Sequence, residues 1–148
     1  MNDWTNTVRV FRYAEIMEGQ RDTLDYPITP VVYQHFLDAF HDNSPLHVDD
    51  HYARSMGFGG RVMHGSLLNG FMSHFIGTWF PGRFSLLLAV DLRFSKPSHL
   101  GDVIRLETVV RQKMDAKKII ILDTTLKNLS QNCLAARGRL QVMITEAP

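Results

Sequence analysis

The chain has 148 residues, 45% of them hydrophobic and 21% charged, a length that buries roughly 70% of the unfolded surface in one core and a composition unlike disordered, collagen-like or coiled-coil chains. Sixteen Lys and Arg stand against fifteen Asp and Glu, so no net field draws it to nucleic acid or to an anionic membrane, and neither partner is expected. One cysteine, Cys133, excludes an internal disulfide and a thiolate metal cage and fits a reducing compartment; the cytoplasm is expected.

The opening M-N-D-W-T-N-T has no basic segment leading into an apolar one, and no later run reaches about eighteen apolar residues, so neither a leader nor a membrane span is expected. No repeat, low-complexity tract or linker divides the chain, and residues 1–148 read as a single domain. Thr29 before Pro30 is a helix cap with proline in the first turn, and Val32, Phe36 and Phe40 recur every fourth residue, predicting a helix over about 30–41. The polar stretch that follows, H-D-N-S-P-L-H-V-D-D-H, is expected to be mostly loop, with Asp49 capping a short helix that ends at Gly57.

Residues 66–80 predict a helix that is apolar nearly all round. Leu67, Phe71, Phe75 and Trp79 form one row, and Leu68, Met72, Ile76 and Phe80 the next. Ser66, Gly70, Ser73 and Gly77 form a stripe of small residues against which another backbone is expected to pack, and Pro81-Gly82 stops the helix. The chain then changes to period two. Val90, Leu92 and Phe94 share a phase, as do Ile104 to Val110, Ile120 to Leu126, and Leu134 to Ile144, while Gly138 suits a bend or close approach. These elements predict an α+β fold in which a half-solvated antiparallel sheet curves around the buried helix.

Four of the seven histidines, His41, His47, His51 and His64, fall within twenty-four residues together with Asp42, Asp49 and Asp50. Polar loops collect such residues for turns and caps alone. His47 and His51 have a metal-compatible i, i+4 spacing, but the sequence between them is not H-E-x-x-H and no third ligand is assigned, so no metal site is expected. Ser66, His64 and Asp42 form a triad on paper, without G-x-S-x-G or a preceding strand. The third arrangement is a carboxylate and an imidazole, Asp42 and His47, five residues apart with Pro45 stiffening the turn. A carboxylate can accept a proton and a histidine can both accept and donate, so the pair suits adding or removing water across a carbon–carbon double bond. H-G-S, residues 64–66, opens the buried helix, where the Gly65 N–H would be an unpaired donor, worth on the order of 3 kcal/mol to an oxyanion in a transition state.

Residues 36–65, F-L-D-A-F-H-D-N-S-P-L-H-V-D-D-H-Y-A-R-S-M-G-F-G-G-R-V-M-H-G, resemble the hydratase motif of MaoC-like (R)-specific enoyl-CoA hydratases, roughly D-x-N-P-[IL]-H-x-D followed by H-G at the start of the central helix. The likeness continues through Pro81-Gly82, L-R-F-S-K-P and Gly101-Asp102. It implies a hot-dog fold, usually dimeric with extended sheets. Asp42 and His47 would then be the catalytic pair, with the Gly65 N–H polarising a thioester carbonyl. His64, Ser66 and Ser73 would be substrate-binding, Ser73 aligning with a family serine near the pair. The implied reaction interconverts trans-2-enoyl and (R)-3-hydroxyacyl thioesters of coenzyme A, or of acyl-carrier protein, without metal or redox cofactor. Ser44 replaces the usual Asn, and Arg61 a frequent proline. A thioesterase on the same scaffold and a non-catalytic acyl-CoA binding module are the rival readings.

Overall fold

The computed structural model describes residues 7–146, so residues 1–6 of the opening segment read above for a leader lie outside the described residues. Five strands, β1 (Arg21–Pro27), β2 (Ser85–Phe94), β3 (Val103–Met114), β4 (Ile119–Asn128) and β5 (Cys133–Ile144), form one antiparallel sheet in the order β1-β3-β4-β5-β2. Four α-helical segments accompany them among the described residues: α1 (Pro30–Phe40), α2 (Pro45–Val48), α3 (Asp50–Ser55) and α4 (Gly65–His74). This is the hot-dog arrangement, with the sheet on one side of α4.

The alternation seen in the last sixty residues decides which side of the sheet faces inward. Ile104, Leu106 and Val110 of β3, Ile120, Leu122 and Leu126 of β4, and Leu140, Val142 and Ile144 of β5 are buried and meet Leu67, Leu68, Phe71, Met72, Phe75 and Ile76 of the helix. Each such large side chain contributes about 1.5–3 kcal/mol by leaving water. Strand β1 is absent from the sequence reading. Its apolar inward residues, Leu24 and Tyr26, are separated by a single polar residue, Asp25, but are too few to stand out, and Tyr26 reaches the core by stacking on Phe71 at 4.8 Å.

Helix α1 begins and ends as its caps dictate: the Thr29 hydroxyl accepts from the Val32 N–H, and His41 takes a left-handed φ of 53° while its N–H closes on Leu37. The segment expected to be loop contains the single turn α2, and the Asp49 carboxylate caps α3 as expected. Helix α4 departs from regular spacing at its end, where Phe75–Trp79 widens into a π turn closed by Phe80 N–H to Phe75 O. Ser66, Gly70, Ser73 and Gly77 are exposed, and among the described residues nothing lies within 4 Å of a Cβ built on either glycine. The expected tight packing on this stripe is therefore not made within the chain, because the sheet covers only the opposite rows of α4. Gly138 does mark a close approach: any side chain there would collide with the backbone of Asp91 and Leu92 in β2. No helix among the described residues is long and apolar enough to cross a membrane.

Candidate active site

The turn between α1 and α2 makes its hydrogen bonds from a short polar sequence. The Asp42 carboxylate accepts from the Ser44 N–H at 3.3 Å, and the Ser44 carbonyl accepts from the His47 N–H at 2.8 Å. Ser44 thus serves the turn through its backbone, which any residue type supplies. Pro45, with its preset φ, opens α2 and places His47 on that single turn. Behind it, the Tyr33 hydroxyl of α1 donates to the His47 carbonyl at 2.8 Å.

The His47 ring has one nitrogen committed. Nδ1 lies 2.6 Å from the Val62 carbonyl oxygen, which can only accept, so Nδ1 carries the proton and Nε2 keeps its lone pair when the ring is neutral. Val62 is held in turn. It bridges His99, the His99 Nδ1–H donates to the Arg61 carbonyl at 2.9 Å, and the Asp102 carboxylate anchors that loop by accepting from the His99 N–H, Asn128 and Gln131. Arg61 is engaged as well: its N–H donates to Asp50 and its guanidinium lies against Asp50 and the Tyr33 ring. That backbone bond is the first cause holding the Asp50 carboxyl below its usual range.

His64, the residue before α4, is 2% exposed. Its Nε2–H donates to the Asp42 carbonyl at 2.9 Å and lies 3.8 Å from the Asp42 carboxylate, and its ring centroid is 4.0 Å from that of His47. Its Nδ1 is buried without a partner. Gly65 begins α4, and its N–H has no hydrogen-bond partner among the described residues. The Phe94 ring occupies the space where a side chain on Gly65 would go, at 3.0–3.3 Å.

Asp42, His47 and His64 each offer a ligand atom, all within 4.8 Å of one another, a spacing that a metal ion could bridge. One nitrogen of each ring donates to a backbone carbonyl, which fixes the orientation of both rings and leaves the other nitrogen of each without a hydrogen bond. His47, His64, Gly65 and Phe94 line a cavity of about 270 Å³ with Val62, Met63, Leu68 and residues 95–98. The structure therefore clusters Asp42 with His47 and His64 and sets His47, His64 and Gly65 on one cavity, whose lining does not include Asp42. Ser66 and Ser73 do not line this cavity; both are exposed on the small-residue stripe, and His51 stays outside the cluster. The Val62 carbonyl carried no signal in the sequence, since any residue has one. Phe94 carried a period-two signal, which reads equally as core.

The arrangement offers an acid/base pair, a free backbone donor and an apolar wall, which suits proton transfer beside a carbonyl whose oxygen gains charge. The family model "MaoC like domain" matches residues 13–132. An (R)-specific enoyl-CoA hydratase of Rhodospirillum rubrum is 31% identical over 113 residues, covering 76% of this chain and 78% of the relative. A 3-hydroxybutyryl-CoA dehydratase of Methylorubrum extorquens is 25% identical over 111 residues, covering 75% and 71%. An unliganded R-hydratase of Pseudomonas aeruginosa superposes with a TM-score of 0.86 at 30% identity, covering 95% of this chain and 89% of that one.

Proposed function

Because the chain belongs to the MaoC-like domain family of hydro-lyases, we propose that it interconverts trans-2-enoyl-CoA and (R)-3-hydroxyacyl-CoA by acid/base catalysis at Asp42 and His47. The observation that carries this reading is the His47–Val62 bond, which leaves Nε2 as the available base in a cluster with the Asp42 carboxylate, at a cavity shared with the unpaired Gly65 N–H. In hydration, the pair holds one water and takes its proton as the oxygen bonds to the β-carbon. The displaced π electrons move toward the thioester oxygen, where the Gly65 N–H stabilises the developing charge, and a proton then reaches the α-carbon. Dehydration reverses each step. No metal or redox cofactor takes part in this scheme.

His64 serves this site by position. With its Nε2 spent on the Asp42 carbonyl and its ring against His47, it fixes the pair more than it touches the substrate. Ser66 and Ser73 face outward with Gly70 and Gly77, and β2 is an edge strand that exposes Leu86, Leu88, Val90 and Phe94. A second copy covering the helix stripe and the β2 edge satisfies both faces. In one chain the cavity, about 270 Å³, is below the roughly 300–1,000 Å³ of small-molecule sites, which fits a site completed by that copy.

The test is loss of the conjugated double bond of a short trans-2-enoyl-CoA, with chiral analysis of the product, run in parallel on the acyl-carrier-protein thioester. Asp42→Asn and His47→Gln are each expected to lose about 10²–10⁴-fold in kcat while remaining folded. Release of free CoA without hydration would establish a thioesterase, and tight binding without turnover a binding module; either outcome overturns the proposal.

A further inference from the structure

The face of the sheet turned away from α4 carries six arginines, and four of them hold carboxylates. Arg21 pairs with Glu107 at 3.4 Å, Arg105 with Asp25 at 2.7 Å, and Arg111 and Arg139 share Asp123 at 3.0 and 3.2 Å. The shared carboxyl titrates accordingly: partial burial alone would raise its pKa, but the two guanidinium hydrogen bonds hold it below its usual range. The other two arginines are different. Arg93 of β2 and Arg137 of β5 stand directly opposite each other in the antiparallel register, and neither has an ion pair among the described residues.

Directly opposed residues have Cβ atoms about 4.5–5.5 Å apart, and like charges so placed destabilise a sheet. Both arginines line an open trough of about 790 Å³, next to the place where β2 and β5 approach closely at Gly138. Thr125 of β4 lies across from Arg137 and lines the same trough. The trough also holds three carboxylates. Glu107 and Asp123 are already paired, and Asp91 stands opposite Arg139 without reaching ion-pair distance of either Arg93 or Arg137. Two guanidinium forks and a hydroxyl on one concave surface present donors that match a tetrahedral dianion, and binding one removes the repulsion between them.

We propose that Arg93 and Arg137, with Thr125 beside them, form a phosphate-binding site on the outer face of the sheet, separate from the cavity at Gly65. It takes a phosphate dianion, whether inorganic phosphate or the phosphomonoester of a nucleotide. Backbone pairing of a second copy along the β2 edge would leave these outward side chains in place.

Titration calorimetry and thermal unfolding of the full chain, with inorganic phosphate and separately with adenosine 3′,5′-bisphosphate, test this. The variants are Arg93→Gln and Arg137→Gln, with Arg83→Gln, an exposed arginine outside the trough, as control. The expected result is saturable binding to the wild type and to Arg83→Gln, weakened at least about tenfold in either trough variant. Phosphate raises the melting temperature of the wild type but not of Arg93→Gln. Without ligand, Arg93→Gln melts no lower than the wild type, because the like-charge contact is gone. Tighter binding of the bisphosphate assigns the site to nucleotides, and equal binding to free phosphate. No saturable binding to the wild type, or equal binding to all four proteins, would overturn the proposal. Neither readout depends on hydratase turnover.

Discussion

Gly65→Ala adds one methyl group at the start of α4, beside the free N–H and against the Phe94 ring. Its Cβ would stand 3.0, 3.2 and 3.3 Å from Phe94 Cζ, Cε2 and Cε1, inside the ~3.5–4.0 Å of a relaxed carbon contact, so the ring must retreat by a few tenths of an ångström. Phe94 is 55% exposed and can do so. Alanine also recovers up to about 1 kcal/mol of helix propensity. Stability should therefore change by no more than about 1 kcal/mol, a shift of roughly 2–4 °C in melting temperature for a chain of this size. Catalysis should respond far more. A thioester oxygen has to come within about 2.9 Å of the Gly65 N–H, and the methyl group now crowds that approach. The expected loss equals that of an oxyanion donor, about 10²–10³-fold in kcat or roughly 2.7–4 kcal/mol. Initial rates with a short trans-2-enoyl-CoA measure it, alongside the double variant Gly65→Ala/Phe94→Ala, in which the methyl meets no ring. If the methyl acts on the substrate, the double variant stays slow. Near-wild-type turnover in Gly65→Ala, or full recovery in the double variant, would refute the role given to this N–H.

Removing the His64 ring should disturb Asp42 and His47 together: His64→Ala is expected to lower kcat about 10–100-fold with little change in KM, and His64→Gln, which can still donate to the Asp42 carbonyl, to restore part of it. Steady-state kinetics on both variants decide this, and equal kcat in the two would exclude the hydrogen bond as the cause. Burial holds the His74 imidazole below its ordinary pKa of 6.5, next to the Tyr26 hydroxyl at 3.0 Å. The unfolded chain takes up this proton as pH falls through 6.5 while the folded chain resists, so stability present above that pH is lost between it and the lower folded value. Melting curves from neutral to mildly acidic pH should consequently fall more steeply for the wild type than for His74→Gln; parallel curves would contradict the linkage. Gly70→Arg meets nothing within the chain, so the monomer should tolerate it, whereas a second copy on the α4 stripe should be displaced. Light scattering is expected to show a smaller particle with reduced turnover, and an unchanged particle would place the interface elsewhere.

Local chemistry made much of this protein legible in one dimension. The Thr29 cap, the Pro45 turn, the apolar rows of α4 and the period-two strands each follow from interactions spanning a few residues, whereas the helix read over 66–80 is regular only to His74 and Val90 and Phe94 of β2 are exposed. Strand β1 leaves no such pattern, because only two of its inward residues are apolar, and its assignment rests on pairing with β3, some eighty residues away.

The candidate site divides along the same line. Asp42 and His47 lie five residues apart, so their turn follows from the order Asp-Asn-Ser-Pro-Leu-His. Which nitrogen of His47 carries the proton was decided by the Val62 carbonyl, and the wall over Gly65 by a ring from β2. The exposure of Ser66 and Ser73, and the confrontation of Arg93 with Arg137, likewise arise only when distant strands and helices are set in register. Side-chain type and short spacing are written along the chain. Backbone partners and facing neighbours are not, because they depend on how elements far apart in sequence bury their apolar faces against one another.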